Sequence, residues 1–231
     1  MKRFLTGLAA CALLAAPAAA QQVVGTLPTE SKISDLYDGQ RFGTFVGWMT
    51  TGLDPVGVRA QSAPIVGIRY DVLMGSPAYF TLRLYGMTSS HEVVDPTRPA
   101  NNRLHGTATN RVVGGDASVE VSLTGDRAWH GIQPLTRLGL GVISGVANHF
   151  DATGYAPGAS VVYLIGTGVR WSLRPNLDMR TDLNWMVHQM RYPEAFKFGT
   201  SGDTAVIRSG TMTPLVTNRA VTVSFTWGIF R

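Results

Sequence analysis

Apolar and polar residues alternate along eight segments of this chain. In the clearest segment, one set of alternate positions is largely apolar, and the other set carries Asp178, Arg180, Asp182, Asn184 and His188. Side chains of a β-strand point to opposite faces in turn, so this pattern predicts strands with one apolar face and one polar face. The predicted strands, and with them an all-β fold class, cover residues 42–50, 64–74, 77–87, 117–125, 134–146, 160–172, 176–190 and 220–230.

The connections between these predicted strands are alternately long and short. The long ones cover residues 51–63, 88–116, 147–159 and 191–219, and the short ones cover 75–76, 126–133 and 173–176. Long loops on one rim and tight turns on the other are typical of transmembrane barrels. A strand of about ten residues, tilted by about 45°, also matches the roughly 25 Å apolar band of an outer membrane. We therefore predict an eight-stranded antiparallel up-and-down transmembrane β-barrel, with both chain ends on the short-turn side.

The first residues have the features of an export signal. Basic Met1-Lys2-Arg3 precedes an apolar run over 4–16 and a small-residue stretch that ends at Ala20. This pattern predicts a secretory signal peptide over residues 1–20, cleaved after Ala20. A second interpretation is that Cys11, which follows Leu-Ala-Ala, becomes a lipidated N-terminus.

The remaining chain divides into two parts. We expect residues 21–40 to form an N-terminal periplasmic segment and residues 41–231 to form the barrel. The helical spacing of Ile33, Leu36 and Tyr37 allows a short helix in the first part, and an unstructured tail is the other interpretation.

Charged side chains lie near mid-strand on the polar faces. Five arginines and four acids can neutralise one another in a lumen, because the guanidinium fork fits carboxylates. Only three of the 20 basic residues are lysines, which soluble β-proteins commonly place on outward faces. A lipocalin-like barrel would show the same alternation with its apolar face inward, but these observations favour the apolar face outward. The predicted lumen polar network is Arg69, Asp71, Arg83, Glu120, Arg137, Arg170, Asp178, Arg180 and Asp182.

Glycines and aromatic residues support this orientation. An eight-stranded barrel has an interior just wide enough for side chains, so large charged residues need small neighbours such as Gly166, Gly168 and Gly228. Aromatic rings favour the membrane–water interface, where outer-membrane barrels carry girdles. The predicted lipid-facing girdle is Tyr163, Trp171, Trp185 and Trp227.

The chain combines an export signal, eight alternating strands, four long loops on one rim and an alternating last strand over 221–230. In these features it resembles small outer-membrane barrels of the OmpA, OmpX and opacity type. The resemblance covers residues 41–231. It implies Sec-type export, a location in the cell outer membrane of a Gram-negative-type envelope, and contact with outer-membrane lipids. It also implies that the barrel-assembly machinery reads the last strand, with Phe225, Trp227 and Phe230 as the assembly signal. Arg231 departs from the family pattern, in which the aromatic residue ends the chain.

The sequence indicates no catalytic residue, metal ligand or cofactor site. None of the five histidines has a serine two residues later, the pair carried by barrels that resemble lipid A deacylases. We expect His188 to join the lumen network, and His91 and His149 to be solvated at loop starts. The acids Asp178 and Asp182 are interpreted as partners of arginines on neighbouring strands, with Arg170 as the first candidate, rather than as a catalytic pair. The scattered net charge of +5 does not indicate nucleic-acid binding.

The predicted function is that of a non-enzymatic outer-membrane protein that contributes to envelope structure or surface interaction through its long loops. Two alternatives are a membrane-embedded lipid-modifying enzyme and a narrow channel for small solutes. Loop 88–116 is rich in proline and asparagine, which favour defined turns. Loop 191–219 carries Tyr192, Phe196 and Phe198, which either bind a partner or pack over the barrel mouth. The sequence does not identify a loop ligand.

Overall fold

The computed structural model describes residues 33–35, 39–52, 56–146, 158–174, 176–192, 194–197, 205–207 and 213–230. The predicted signal peptide over 1–20, including Cys11, lies outside these residues, as does most of segment 21–40. Among the described residues, no helix is long and apolar enough to cross a bilayer. Two short 3₁₀ turns are present, Ala100–Asn102 and Glu194–Phe196. The described strands are β1 (Ile33–Asp35), β2 (Gln40–Thr51), β3 (Ala63–Gly75), β4 (Ala78–Val94), β5 (Leu104–Ser122), β6 (Arg127–Trp129), β7 (Ile132–Val146), β8 (Ser160–Arg174), β9 (Leu177–Gln189) and β10 (Leu215–Phe230).

Eight of these strands form a closed antiparallel barrel. Strands β2, β3, β4, β5, β7, β8, β9 and β10 each pair with their neighbours in chain order, and β10 returns to pair with β2 through Val223 and Val46. Closure matters because every backbone N–H and C=O group of a spanning strand then has a partner in a neighbouring strand. The predicted all-β, eight-stranded antiparallel barrel is confirmed.

Strands β1 and β6 form a small ladder at the rim of short turns. Ile33 pairs with Trp129, and Asp35 pairs with Arg127. The option of a helix that includes Ile33 is therefore wrong, because the backbone of this segment is extended and paired with β6. Leu36 and Tyr37 lie outside the described residues.

Strands β4 and β5 extend well beyond the barrel wall. The pairing of β3 with β4 ends at Met87, whereas β4 and β5 continue to pair as far as Val94 and Leu104. The extension of seven residues is about 23 Å long at about 3.3 Å per residue. The predicted loop over 88–116 is therefore wrong: most of it is a hairpin, and residues 95–103 form its tip. Strand β10 likewise begins earlier than predicted, at Leu215.

Candidate functional site in the barrel interior

The interior of the barrel consists of layers that differ in chemistry. The layer nearest the short turns is charged, the next is apolar, and a cavity follows toward the long loops. Each layer forms because alternate residues of the eight strands point inward at the same height.

A network of arginines and carboxylates fills the charged layer. Arg180 of β9 reaches Glu120 of β5 with two bonds, Nη1–Oε2 of 2.6 Å and Nη2–Oε1 of 2.7 Å. Its Nε lies 2.7 Å from Oδ1 of Asp182. Asp182 also pairs with Arg69 at 3.0 Å and with Arg137 at 2.8 Å. Strands that are not neighbours in the wall are thereby joined across the lumen.

Two further pairs belong to this charged network. Arg83 binds Asp116 through two bonds, of 2.9 and 2.8 Å. Nearer the short turns, Arg41 bonds the carboxylate of Asp178. Arg41 and Asp116 were not predicted from the sequence, because both fall just outside the strand limits expected there. The signal was present, since each continues the inward alternation of its strand.

All nine residues of the predicted lumen network are in this interior, and none is more than 3% exposed. Their pairing differs in part from the prediction. Arg170 lies 3.9 Å from Asp178, as expected, and its guanidinium also lies over the ring of Tyr79. The carboxylate of Asp182 is surrounded by Arg69, Arg137 and Arg180, none of which lies on a strand next to β9.

An apolar layer, which we name the floor, crosses the lumen on the loop side of the charged network. This layer was not predicted from the sequence. On β8, for example, both faces are apolar at this height, so the alternation vanishes. The floor includes Phe45, Met49, Ile65, Tyr85, Met87, Val112, Ile143, Val162, Leu164 and Met186.

A second apolar cluster, which we name the cap, joins the loops at the open end. Phe196 stacks on Tyr192 at 6.2 Å between ring centroids, and Val94 brings the β4–β5 hairpin into the same cluster. Of the two interpretations left open for these aromatic residues, the structure shows packing among the loops. Phe198 lies outside the described residues. The described members of the cap are Val58, Val94, Met190, Tyr192, Phe196 and Val216.

A cavity of about 810 Å³ lies between the floor and the cap. Met87, Val112 and Ile143 of the floor line it from below, and Val58, Met190 and Tyr192 of the cap contribute the loop side. Its polar lining includes Arg59, Asn110, His188 and Asn218. Arg59 donates to the carbonyl oxygen of Gly52 at 3.1 Å and to the side chain of Asn218.

The histidines do not match their predicted environments. His188 faces the interior but lines the cavity, and the floor residue Met186 separates it along β9 from the charged network. His91 is 5% exposed, so its expected solvation is wrong: it points inward where the hairpin and loop 56–62 pack together. His149 lies outside the described residues.

Comparison with known proteins agrees with this architecture. No protein-family description and no curated protein matches the sequence. Neisserial surface protein A superposes with a TM-score of 0.52 at 10% identity, covering 83% of this chain and 98% of that one. The outer membrane protein OprG from Pseudomonas aeruginosa gives 0.53 at 12% identity, covering 85% and 99%. The chain has the fold of small outer-membrane barrels. The resemblance predicted from the sequence is confirmed at the level of fold.

The outer face of this outer-membrane barrel fold is strongly apolar. Mid-strand side chains such as Leu138 and Ile165 are more than half exposed. The four predicted girdle residues all lie on this face. Trp171 and Trp227 mark the short-turn side, whereas Tyr163 and Trp185 mark the loop side, where the structure adds Trp48.

The last strand, β10, closes the barrel between β9 and β2. Phe225 and Trp227, two residues of the predicted assembly signal, lie on its outer face. Phe230 is the final residue of the strand. A role of these residues in assembly stays a prediction.

Proposed function

We propose that this chain is a non-enzymatic, non-conducting outer-membrane protein that presents its loop-side surface from a filled barrel. The observation that carries the proposal is the interior: the charged network and the floor together occupy the lumen at successive heights. With the lumen filled, the surface left for contact with other molecules is the loop side, where the β4–β5 hairpin projects.

The proposed location rests on the outer face. A band of exposed apolar side chains between two levels of aromatic residues fits a hydrocarbon layer bounded by two interfaces. The girdle residues Tyr163 and Trp171 of β8 are eight positions apart, which is about 26 Å along the strand. Outer-membrane lipids are therefore the proposed solvent of this face, and the barrel-assembly machinery is the proposed partner during insertion.

The proposed absence of conduction rests on packing. Bonds between Arg180 and Glu120, and between Arg69 and Asp182, cross the lumen at hydrogen-bonding distance. An eight-stranded barrel has an interior that side chains fill, so solute passage would require this buried network to break. The purified protein in planar bilayers should give no stable single-channel steps. Regular steps of constant size would contradict the proposal.

The arrangement of Ser89 and His91, two residues apart on β4, also favours a non-enzymatic protein. Ser89 and His91 point inward from the same strand, but the hydroxyl of Ser89 donates to the carbonyl oxygen of Gln61. A serine nucleophile needs its proton directed to a base. Here the hydroxyl proton is directed to a backbone carbonyl, and the contact holds loop 56–62 against the hairpin.

Limited trypsin digestion of intact cells tests location and orientation together. We expect cleavage after Arg103, at the hairpin tip, and after Lys197, which is exposed beside the cap. Arg111 is the matched control within the hairpin, because its backbone is paired in β5. Arg127, in the short-turn ladder, should be cleaved only after the outer membrane is opened. Cleavage at Arg127 with Arg103 spared in intact cells would reverse the orientation.

An assay of fatty-acid release distinguishes the non-enzymatic proposal from the alternative of a lipid-modifying enzyme. Purified barrel in lipid vesicles should release no fatty acid from phospholipid or lipopolysaccharide above a heat-unfolded sample. Any activity that persists on purification should then be compared among His91→Ala, His149→Ala and His188→Ala. Loss of such an activity in one of these variants would establish the enzyme and refute the non-enzymatic proposal.

A further inference from the structure

The cavity between floor and cap has the dimensions of a small-molecule site. Its volume of about 810 Å³ falls within the roughly 300–1,000 Å³ of typical ligand pockets. The proposed function leaves this space without a role, because neither the filled lumen below it nor the display of the hairpin requires it.

Two buried polar atoms beside this cavity have no hydrogen-bond partner among the described residues. They are Oδ1 of Asn110 and Nδ1 of His188. Asn110 is 3% exposed and His188 is 9% exposed, and both side chains line the cavity. Because an unsatisfied buried polar group is costly, a bound group that bonds to either atom gains affinity.

The hydrogen-bonding chemistry of these two atoms restricts the polar headgroup of a ligand that would bind here. A carboxamide oxygen accepts hydrogen bonds, and an imidazole nitrogen accepts or donates according to its proton. A hydroxyl both donates and accepts, so it satisfies either atom. The described lining residues include no carboxylate that would pair with a cation. Of the two arginines in the lining, Arg59 already donates to Gly52 and Asn218, and Arg191 is exposed to solvent. An uncharged hydroxyl headgroup therefore fits the two unsatisfied atoms.

The rest of the lining restricts the body of the ligand. Met87, Val112 and Ile143 present an apolar surface opposite Met190 and Tyr192. The lining also includes Val161 and Tyr163, which lie on the outer face of β8 and are more than half exposed. The cavity is therefore continuous with the face that we propose contacts lipid.

We propose that this cavity binds a small uncharged amphiphile, whose hydroxyl group bonds Asn110 or His188 and whose apolar chain or ring lies on the floor. Solute partitioned into the outer leaflet reaches the cavity past Val161 and Tyr163. This proposal does not require the barrel to conduct, since the ligand stops above the charged network.

Methyl NMR of methionine tests the proposal in lipid nanodiscs. Met87 and Met190 line the cavity, whereas Met74 and Met179 lie on the outer face toward the short turns and report general partition into lipid. Three probes share one apolar body: 4-phenylbutan-1-ol, butylbenzene and 4-phenylbutanoate. We expect 4-phenylbutan-1-ol to shift the Met87 and Met190 methyl signals saturably. Butylbenzene should bind about three- to tenfold more weakly, the effect of about one net hydrogen bond.

Variants of the cavity sharpen this test. At least one of Asn110→Leu and His188→Phe should weaken 4-phenylbutan-1-ol toward the affinity of butylbenzene. Val112→Phe, which places a larger side chain on the floor, should weaken saturable binding of both. Thr109→Val is the matched control, because Thr109 is the next residue of β5 on the exposed face. Heat-resistant mobility in detergent shows which variants fold. If Asn110→Leu does not fold, His188→Phe and Val112→Phe still test the proposal.

Three outcomes would overturn the proposal. One is an equal affinity for 4-phenylbutan-1-ol and butylbenzene, which would remove any role for the polar pair. Another is a linear response of Met87 and Met190 that matches Met74, which would show partition alone. Tighter binding of 4-phenylbutanoate than of the alcohol would replace the uncharged headgroup with an anionic one.

Discussion

The guanidinium of Arg180 on β9 bonds both carboxylate oxygens of Glu120 on β5, at 2.6 and 2.7 Å. These two strands are separated in the wall by β7 and β8, so the pair spans the lumen rather than a single strand boundary. Both side chains are almost fully buried, so the loss of one partner would leave a buried charge without compensation.

We expect Arg180→Leu to lower the free energy of unfolding by about 3–5 kcal/mol, because Glu120 and Asp182 lose a buried partner. Urea unfolding in detergent micelles, followed by the heat-dependent mobility shift, measures this change. Arg174→Leu is the control, since Arg174 is exposed at the end of β8 and should change stability little. Unaltered unfolding of Arg180→Leu would contradict its structural importance. The double variant Arg180→Met with Glu120→Met should lose less than the sum of the single losses.

A pair of glycine variants tests how tightly the network is packed. A Cβ atom at Gly168 would fall on the carboxylate of Asp182, which Arg180 and Arg137 hold in place. Gly168→Ala should therefore cost about 1–3 kcal/mol in the free energy of unfolding, a typical overpacking cost. Gly228→Ala is the control, since a methyl group at that position would meet no described atom within 4 Å. Equal stability of the two variants would show that Asp182 has room to move.

Arginine placed on the outer face tests the membrane assignment. Leu138 lies at the middle of β7 and is 69% exposed, so Leu138→Arg should cost about 2–4 kcal/mol in bilayer vesicles. Leu215, with similar exposure, begins β10 at the loop rim, and Leu215→Arg should cost about 0–1 kcal/mol. Folding of each variant into vesicles, followed by tryptophan fluorescence, gives the comparison. If Leu138→Arg folded as well as Leu215→Arg, the face would not be in hydrocarbon.

The cap should respond to mutation separately from the barrel. Phe196 is fully buried in the cap, and its carbonyl oxygen accepts a bond from Ile207 N at 3.0 Å. Phe196→Ala removes its stacking on Tyr192, so trypsin should cleave after Lys197 at least several-fold faster. The heat-dependent mobility shift should stay unchanged, since no barrel strand loses a ladder bond. A matching fall in barrel stability would show that cap and barrel unfold together.

The charged network was predictable because charge and burial coincide on the inward positions of mid-strand segments. Residues such as Arg69 and Glu120 alternate with exposed apolar neighbours, and period-two alternation indicates two environments directly. The outward girdle followed from the same contrast. Which carboxylate each arginine meets was only partly predictable, because it depends on how far each strand is shifted against the next.

The β4–β5 extension and the floor were not predicted, because in each of them both faces of a strand have the same polarity. In the β4–β5 extension, Ser89 and Ser90 occupy opposite faces, so a paired strand resembles a polar loop in the sequence. In the floor, inward Leu164 stands beside outward Ile165, and the alternation disappears for the opposite reason. The cavity depends on both features, so no pattern of residues along the chain indicated it.

The ladder of β4 and β5 keeps one register from Ala78 to Val93, and this has a mechanical consequence. A force applied to the tip at residues 95–103 passes down two continuous backbones into the same strands that hold Arg83 and Glu120. Anything that grips this arm therefore pulls on the whole cylinder.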